Sequence, residues 1–226
     1  MTNILMSRGI LGHPMMVETV KKYIKSTDKV LVVAFSFFDN QFKDKKTYLE
    51  FYSPGGEYYI KIIDAFLPYG IKESQIEWLY YYTDNNSSAL KKIKNANIIY
   101  FPGGSPQLMM KRIHEFQIKE ALESPDKVFI GSSAGAMIQL DHYHISPDAD
   151  HKKFSYEEGL NLISGISIEV HYRRKKKQKS ALRKVNRAYR HPIIAIPDEG
   201  AVIMDNEAVH LLGNAFLMYG KKGVIR

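Results

Sequence analysis

The sequence predicts an α/β protein in which one mainly parallel sheet is sandwiched between helices and ends in an antiparallel extension. Three observations lead there. Strand-like and helix-like stretches alternate almost throughout the 226 residues. Several of the strands are unbroken apolar runs rich in Val, Ile and aromatics, as expected of strands covered on both faces. In the last third the strands follow one another closely, which suits antiparallel neighbours. A hydrophobic content of 45% supports one sizeable core, with no repeat and no Pro/Gly/Ser-rich linker, so residues 1–226 are expected to form a single domain.

Taken in order, the expected strands are Asn3–Leu5, Lys29–Phe35, Ile76–Tyr81, Asn97–Phe101, Lys127–Gly131, Gly165–Glu169, Ile193–Pro197, Ala201–Asp205 and Ala208–Leu212. Between them run amphipathic stretches at His13–Ser26, Gly56–Leu67, Ser87–Lys94, Pro106–Leu122, Ala134–Leu140 and Ser180–Arg190. In an open α/β sheet the chemistry lies beyond the carboxyl ends of the strands. The loops that directly follow strands are therefore the ones to read.

Composition removes several function classes first. There is no cysteine, which excludes disulfides, thiolate metal sites and a cysteine nucleophile. No apolar stretch approaches a membrane span. The opening MTNILMSRGILGHP lacks a basic n-region and a long apolar core, so no secretory leader, no membrane partner and a cytoplasmic location are expected. The formal net charge of +8 suggests a nucleic-acid partner, but residues 172–190 hold ten Lys/Arg and no acid, leaving 22 basic against 24 acidic residues elsewhere. The basicity is one local feature, with sparse aromatics and no recognition motif, and no nucleic-acid partner is expected.

Two strand-ending loops carry small residues. Phe101-Pro-Gly-Gly-Ser105 closes a strand and opens a helix, with Ser105 as N-cap and Pro106 at the first helical position. Its glycines also let the backbone approach a ligand, but it has no lysine of the phosphate-binding kind. Gly131-Ser132-Ser133-Ala134-Gly135 fits G-x-S-x-G between a strand and a helix, the setting of a nucleophile elbow. The plainer alternative is a serine N-cap on a closely packed helix. In the first reading the Ala134 N–H faces the oxyanion of a tetrahedral intermediate.

A serine nucleophile needs a base and an acid to orient it. Of eight histidines, His171 directly follows an apolar strand, at the end where function is expected. His13, His114 and His210 sit in helix- or strand-like contexts and are read as packing residues, and His191 as the start of a connection. The turn Ile196-Pro-Asp-Glu-Gly200 follows another strand and offers Asp198 or Glu199. The run DHYHISPDADH (His142, His144, Asp148, Asp150, His151) holds enough ligands for a metal ion, but its spacing matches no motif. It is read as a solvated loop, with neither metal nor cofactor expected.

These motifs, in this order, resemble the serine peptidases of the dipeptidase E and cyanophycinase family (peptidase S51-like). Those peptidases are relatives of the class I glutamine amidotransferases, with a flavodoxin-like three-layer fold. The resemblance runs over most of residues 1–220: a Gly-Gly loop opening a helix (PGGSPQLMM), the elbow Gly131–Ala136, His171-Tyr172, and a Pro-Glu-Gly-like turn before an outgoing hairpin (PDEGAVIMDNEAVHLLG). It implies Ser133 as nucleophile, His171 as base and then acid, Glu199 as third member, and the N–H groups of Gly104 and Ala134 as oxyanion donors. Glu199 is favoured over Asp198 because it is the acid adjoining the glycine. Asp148 lies where dipeptidase E has an aspartate, a candidate partner for a substrate amino group.

The chain departs from the family's pattern in three places: Ser105-Pro106 after the glycines, Ser132 before the nucleophile, and RRKKKQK after His171. The last lies in the region that governs substrate choice in dipeptidase E, so that enzyme's specificity for N-terminal aspartyl dipeptides does not carry over. We read the basic run as a solvated helix face or as a funnel for anions, with Arg173, Arg174 or Arg183 pairing a substrate carboxylate. The expected activity is hydrolysis of small peptides, including acidic, Asp-containing dipeptides, by a monomer or homodimer. The alternative is a non-catalytic binding or regulatory protein on the same fold.

Overall fold

The computed structural model describes residues 1–205 and 208–220. Its elements, in chain order, are β1 (Thr2–Met6), α1 (Pro14–Val20), β2 (Val30–Ala34), α2 (Lys45–Tyr52), α3 (Glu57–Phe66), β3 (Ile76–Tyr80) and α4 (Asn86–Asn95). There follow β4 (Ile98–Phe101), α5 (Pro106–Glu115), α6 (Lys119–Leu122), β5 (Val128–Ser132), α7 (Ala134–Met137), β6 (His142–Ile145) and β7 (Ser155–Glu158). The last are β8 (Ser167–Val170), α8 (Lys176–Tyr189), β9 (Ile193–Ile196), β10 (Ala201–Met204), β11 (Val209–Leu212) and β12 (Phe216–Tyr219).

Seven strands form the main sheet in the order β11-β10-β1-β5-β4-β2-β3. The five from β1 to β3 along that order run parallel, and β10 and β11 add antiparallel strands at one edge. Alternate residues face opposite ways. Ile4, Met6, Val30, Val32, Ile98, Tyr100 and Ile130 pack under α1, α2 and α3. Leu5, Leu31, Val33, Ile99, Phe101 and Phe129 pack under α4, α5, α6 and α7. Both faces are covered, so the strands read as continuous apolar runs rather than alternating ones.

The antiparallel end departs from expectation. Only β10 and β11 join the main sheet; β9 pairs with β8 in parallel and with β12 in antiparallel, making a separate three-stranded sheet. That sheet has its own small core, Tyr172, Leu182, Val185, Ile193 and Ala195, covered by the apolar stripe of α8. Two other expectations are corrected. The amphipathic stretch Pro106–Leu122 is two helices, because Gln117 takes a left-handed φ of +53° and ends the first. The run read as a solvated loop, DHYHISPDADH, contains β6, paired with β7, and buries His144.

No helix among the described residues is long and apolar enough to cross a membrane. The turns after β1, β2, β4, β5, β8 and β9 converge, and the candidate site lies among them.

Candidate active site

Ser133 stands between β5 and α7 with φ +50° and ψ −113°, backbone angles that a non-glycine residue adopts only under constraint. The sequence builds that corner by removing side chains around it. A Cβ at Gly131 would lie 2.0 Å from the carbonyl oxygen of Gly135, and one at Gly135 would lie 2.0 Å from that of Phe101. The Ser133 N–H donates to the Met6 carbonyl (2.8 Å), which holds the elbow against the end of β1. Its hydroxyl points to His171.

His171 follows β8, also at a positive φ of +51°. Its Nε2 lies 2.9 Å from Ser133 Oγ, and its Nδ1 lies 2.7 Å from Asp198 Oδ1. An ionised carboxylate can only accept, so Nδ1 carries the proton and Nε2 is left to accept from the serine hydroxyl. Asp198 is ionised. Partial burial pushes its carboxyl up, but hydrogen bonds from His171, Arg173 and Arg8 together outweigh that and hold it well below the usual carboxylate range. Arg173 donates to Asp198 Oδ2 at 2.7 Å, and Arg8 reaches the same oxygen at 3.2 Å.

The carboxylate on His171 is therefore Asp198, not Glu199. The two are adjacent on one turn, and the turn points one side chain inward and the other, Glu199, into solvent. Neighbouring residues on a turn diverge, so only one of them can meet the imidazole.

The Gly-Gly loop lies beside the elbow. Gly104 has φ +143°, and a Cβ there would meet the Ser36 carbonyl oxygen at 2.1 Å; a Cβ at Gly103 would touch the Ser133 Cβ at 3.4 Å. Ser105 caps α5 through Leu108 N–H (3.2 Å), with Pro106 at the first helical position. The turn after β2 fixes the loop from the other side: Ser36 Oγ donates to the Gly103 carbonyl (2.7 Å) and the Ser36 carbonyl accepts from Ser105 N–H (2.6 Å). Buried Arg112 staples that turn, donating to the carbonyls of Phe35 and Phe37 and to Asp39. The amides of Gly104 and Ala134 have no acceptor among the described residues. Gly104 lines the cavity in front of Ser133, while the Ala134 side chain is buried.

That cavity, of about 680 Å³, is lined by Ser133, His171 and Gly104. Its polar wall includes Asp148, Asp150, Glu169, Arg173, Lys175 and Lys177. Asp148 lines it, and its Oδ1 accepts from the amides of Asp150 (2.9 Å) and His151 (2.6 Å), tying its own turn. Glu169 and His144 form a buried pair 2.7 Å apart, with Ser146 donating to the same carboxylate oxygen at 2.7 Å. Among the described residues no three of His, Asp and Glu come together to hold a metal ion.

The basic run is placed differently from expectation. Arg173 is paired with Asp198. Arg174 and Arg183 are exposed and do not line the cavity; the cations that do, besides Arg173, are Lys175 and Lys177. Ser7, Arg8 and Gln178, like Ser36 and Arg112, are residues that sequence reasoning missed. The first two directly follow β1, so the strand-end rule points to them, although no motif singles them out. Gln178 was hidden in the basic run. It accepts from Arg173 N–H and donates to the His171 carbonyl, each at 2.9 Å, which holds the turn that carries the imidazole.

No curated protein matches this sequence. Among solved structures, a Listeria monocytogenes EGD-e protein described as a candidate peptidase E superposes with a TM-score of 0.65 at 16% identity, covering 93% of this chain and 97% of its own. A peptidase from an acI-B1 Actinobacterium gives 0.69 at 17% identity, covering 98% and 91%. At such identities the likeness shows the fold. The family is shown by the sequence itself, because the description of Peptidase family S51 matches residues 55–212, which contain Ser133, His171 and Asp198. The chain thus belongs to peptidase family S51 and is a peptidase.

Proposed function

We propose that this peptidase hydrolyses small peptides through Ser133, with His171 as general base and then acid and Asp198 as the orienting carboxylate. The observation that carries the reading is the unbroken contact from Ser133 Oγ to His171 Nε2 and from Nδ1 to Asp198 Oδ1. Ser133 Oγ attacks the scissile carbonyl as His171 takes its proton, and Asp198 stabilises the imidazolium that forms. The oxyanion of the tetrahedral intermediate is met by the N–H groups of Gly104 and Ala134. His171 returns the proton to the leaving amine, giving an acyl-Ser133 ester. Water, deprotonated by the same imidazole, then releases the acid product and restores the serine.

The triad order Ser…His…Asp along the chain differs from the Ser…acid…His order of α/β-hydrolases, so the same roles are filled by another topology. Lys175 and Lys177 at the cavity favour peptides carrying an acidic residue, and Asp148 is the candidate partner for a substrate amino group.

The test has two parts. Incubation with a fluorophosphonate is expected to give a mass adduct on the wild type that vanishes in Ser133→Ala. A dipeptide library is expected to show hydrolysis of Asp- or Glu-containing members that is lost in the same variant. An adduct that persists in Ser133→Ala, or hydrolysis unaffected by it, would overturn the assignment.

A further inference from the structure

We propose that the Ser7–Arg8 turn after β1 is a positioning device for the triad, in which Arg8 and Arg173 jointly hold the outer oxygen of Asp198 so that its inner oxygen faces His171. The proposal rests on the serine-peptidase reading above, and concerns two residues that lie outside the matched family span of 55–212.

Ser7 is fully buried, and its hydroxyl is used in both directions. It donates to the carbonyl of Ile196 at the end of β9 and accepts from the His171 N–H (2.9 Å) just past β8. One side chain from the main sheet thus ties together the two strand ends of the smaller sheet that deliver the imidazole and the carboxylate. The next residue completes the arrangement. Arg8 reaches Asp198 Oδ2 at 3.2 Å, and Arg173 donates to that same oxygen at 2.7 Å.

A carboxylate with only one partner can rotate and offer either oxygen. Two guanidinium groups on Oδ2 remove that freedom and leave Oδ1 to the imidazole. They also balance charge. A lone Asp198 draws a second proton onto His171, and a doubly protonated imidazole cannot act as a base. Two cations on the far oxygen offset that attraction without breaking the hydrogen bond.

Both arginine side chains are more than half exposed, at 59% and 53%, so each bond alone is a weak surface contact. Because they share one acceptor, each covers for loss of the other. Their effects should therefore be strongly non-additive. Arg173, engaged in this way, is not the partner of a substrate carboxylate.

Other charged groups face the same space: Lys175 and Lys177 from the start of α8, Glu169 from β8, His144 from β6, and Asp148, Asp150 and His151 from the β6–β7 connection. None of these touches Asp198, whose ion-pair partners are His171, Arg8 and Arg173. A response specific to Arg8 and Arg173 can be separated from a general change in cavity charge by Lys177→Gln, which alters the charge but not the clamp.

The experiment measures the rate of fluorophosphonate labelling of Ser133 against pH in the full chain. The variants are Arg8→Gln, Arg8→Lys, Arg173→Gln, the Arg8→Gln/Arg173→Gln double and Lys177→Gln, with thermal melts to verify folding. The single glutamine variants are expected to label only about 2–3-fold more slowly, and the double about 100-fold or more, well beyond the product of the singles and a fraction of the roughly 10⁴-fold cost of disabling a triad aspartate. Arg8→Lys should recover most of the rate. Loss of positive charge beside the carboxylate favours the imidazolium, so the acid limb of the profile should move to higher pH, by about half a unit or more in the double.

A double variant with wild-type rate and an unmoved acid limb would overturn the clamp. So would an equal fall in all three Arg8 and Arg173 single variants with the limb unmoved, or a limb shift reproduced by Lys177→Gln. If the double does not fold, an Arg8→Gln limb that stays in place overturns it instead. Failure of wild-type Ser133 to label at any pH is a different outcome, which overturns the serine-peptidase reading itself and the clamp with it.

Discussion

At the scale of single residues, the site turns on which of two adjacent carboxylates meets the imidazole. Asp198 does, and Glu199 is exposed. Asp198→Asn is therefore expected to lower kcat by about 10³–10⁴-fold, since the amide cannot hold the required tautomer, whereas Glu199→Gln should stay within about twofold. The reverse ranking in a dipeptidase assay would return the acid role to Glu199. The depressed acidity of Asp198 also bears on stability. Because its folded carboxyl titrates below the unfolded one, its contribution is present above the ordinary carboxylate range and is lost as pH falls toward the folded value. Melting temperatures of the wild type and Asp198→Asn should accordingly converge as pH is lowered below about 4. This single residue also marks where sequence reading stops. Both acids were visible on the turn after β9, but the choice between them depends on side-chain direction, which adjacency to a glycine does not determine.

At the scale of elements, the elbow is a close approach of three strand ends rather than a property of one segment. The strain at Ser133 is held by β5, by the packing of Gly135 onto Phe101 at the end of β4, and by the Met6 carbonyl of β1. Gly135→Ala should cost about 3 kcal/mol or more, because its Cβ meets backbone that cannot move aside. Gly165→Ala, with nothing within 4 Å and only a φ of +73° against it, should cost roughly 1–2 kcal/mol. Urea unfolding of the pair compares steric closure with backbone strain, and equal losses would contradict the packing account. The turn carrying His171 depends on Gln178 in the same way. Gln178→Ala removes both of its backbone hydrogen bonds and should lower kcat/KM about 5–10-fold. The G-x-S-x-G spacing made the elbow legible. The supports from the ends of β1 and β2 and from α5 and α8 were not, because Ser7, Ser36, Arg112 and Gln178 form no motif and meet the site only after folding.

At the scale of the whole molecule, the charge is concentrated on α8 and the turn before it. The helix buries Ala181, Leu182 and Val185 and turns its cations to solvent, with Lys175 and Lys177 at the cavity. Charge reversal at both positions should reduce kcat/KM for acidic peptides about 10-fold at low salt and much less at high salt, with neutral peptides changing little. Equal losses for neutral peptides would show that the lysines shape the cavity rather than steer substrate. All nine expected strands exist, and the parallel sheet with its antiparallel β10 and β11 follows from their apolar pattern. The short strands β6, β7 and β12 were missed, and so was the division into a second sheet. By itself the sequence determined the alternation, the covered sheet, the elbow and the histidine after β8, because periodicity and small-residue spacing are local properties. Only the tertiary structure decided that Asp198 rather than Glu199 faces His171, that Arg8 and Arg173 converge on it, and that β8 and β9 leave the main sheet. Those outcomes depend on contacts between residues as far as 190 positions apart, and no local pattern encodes the direction in which such distant side chains meet.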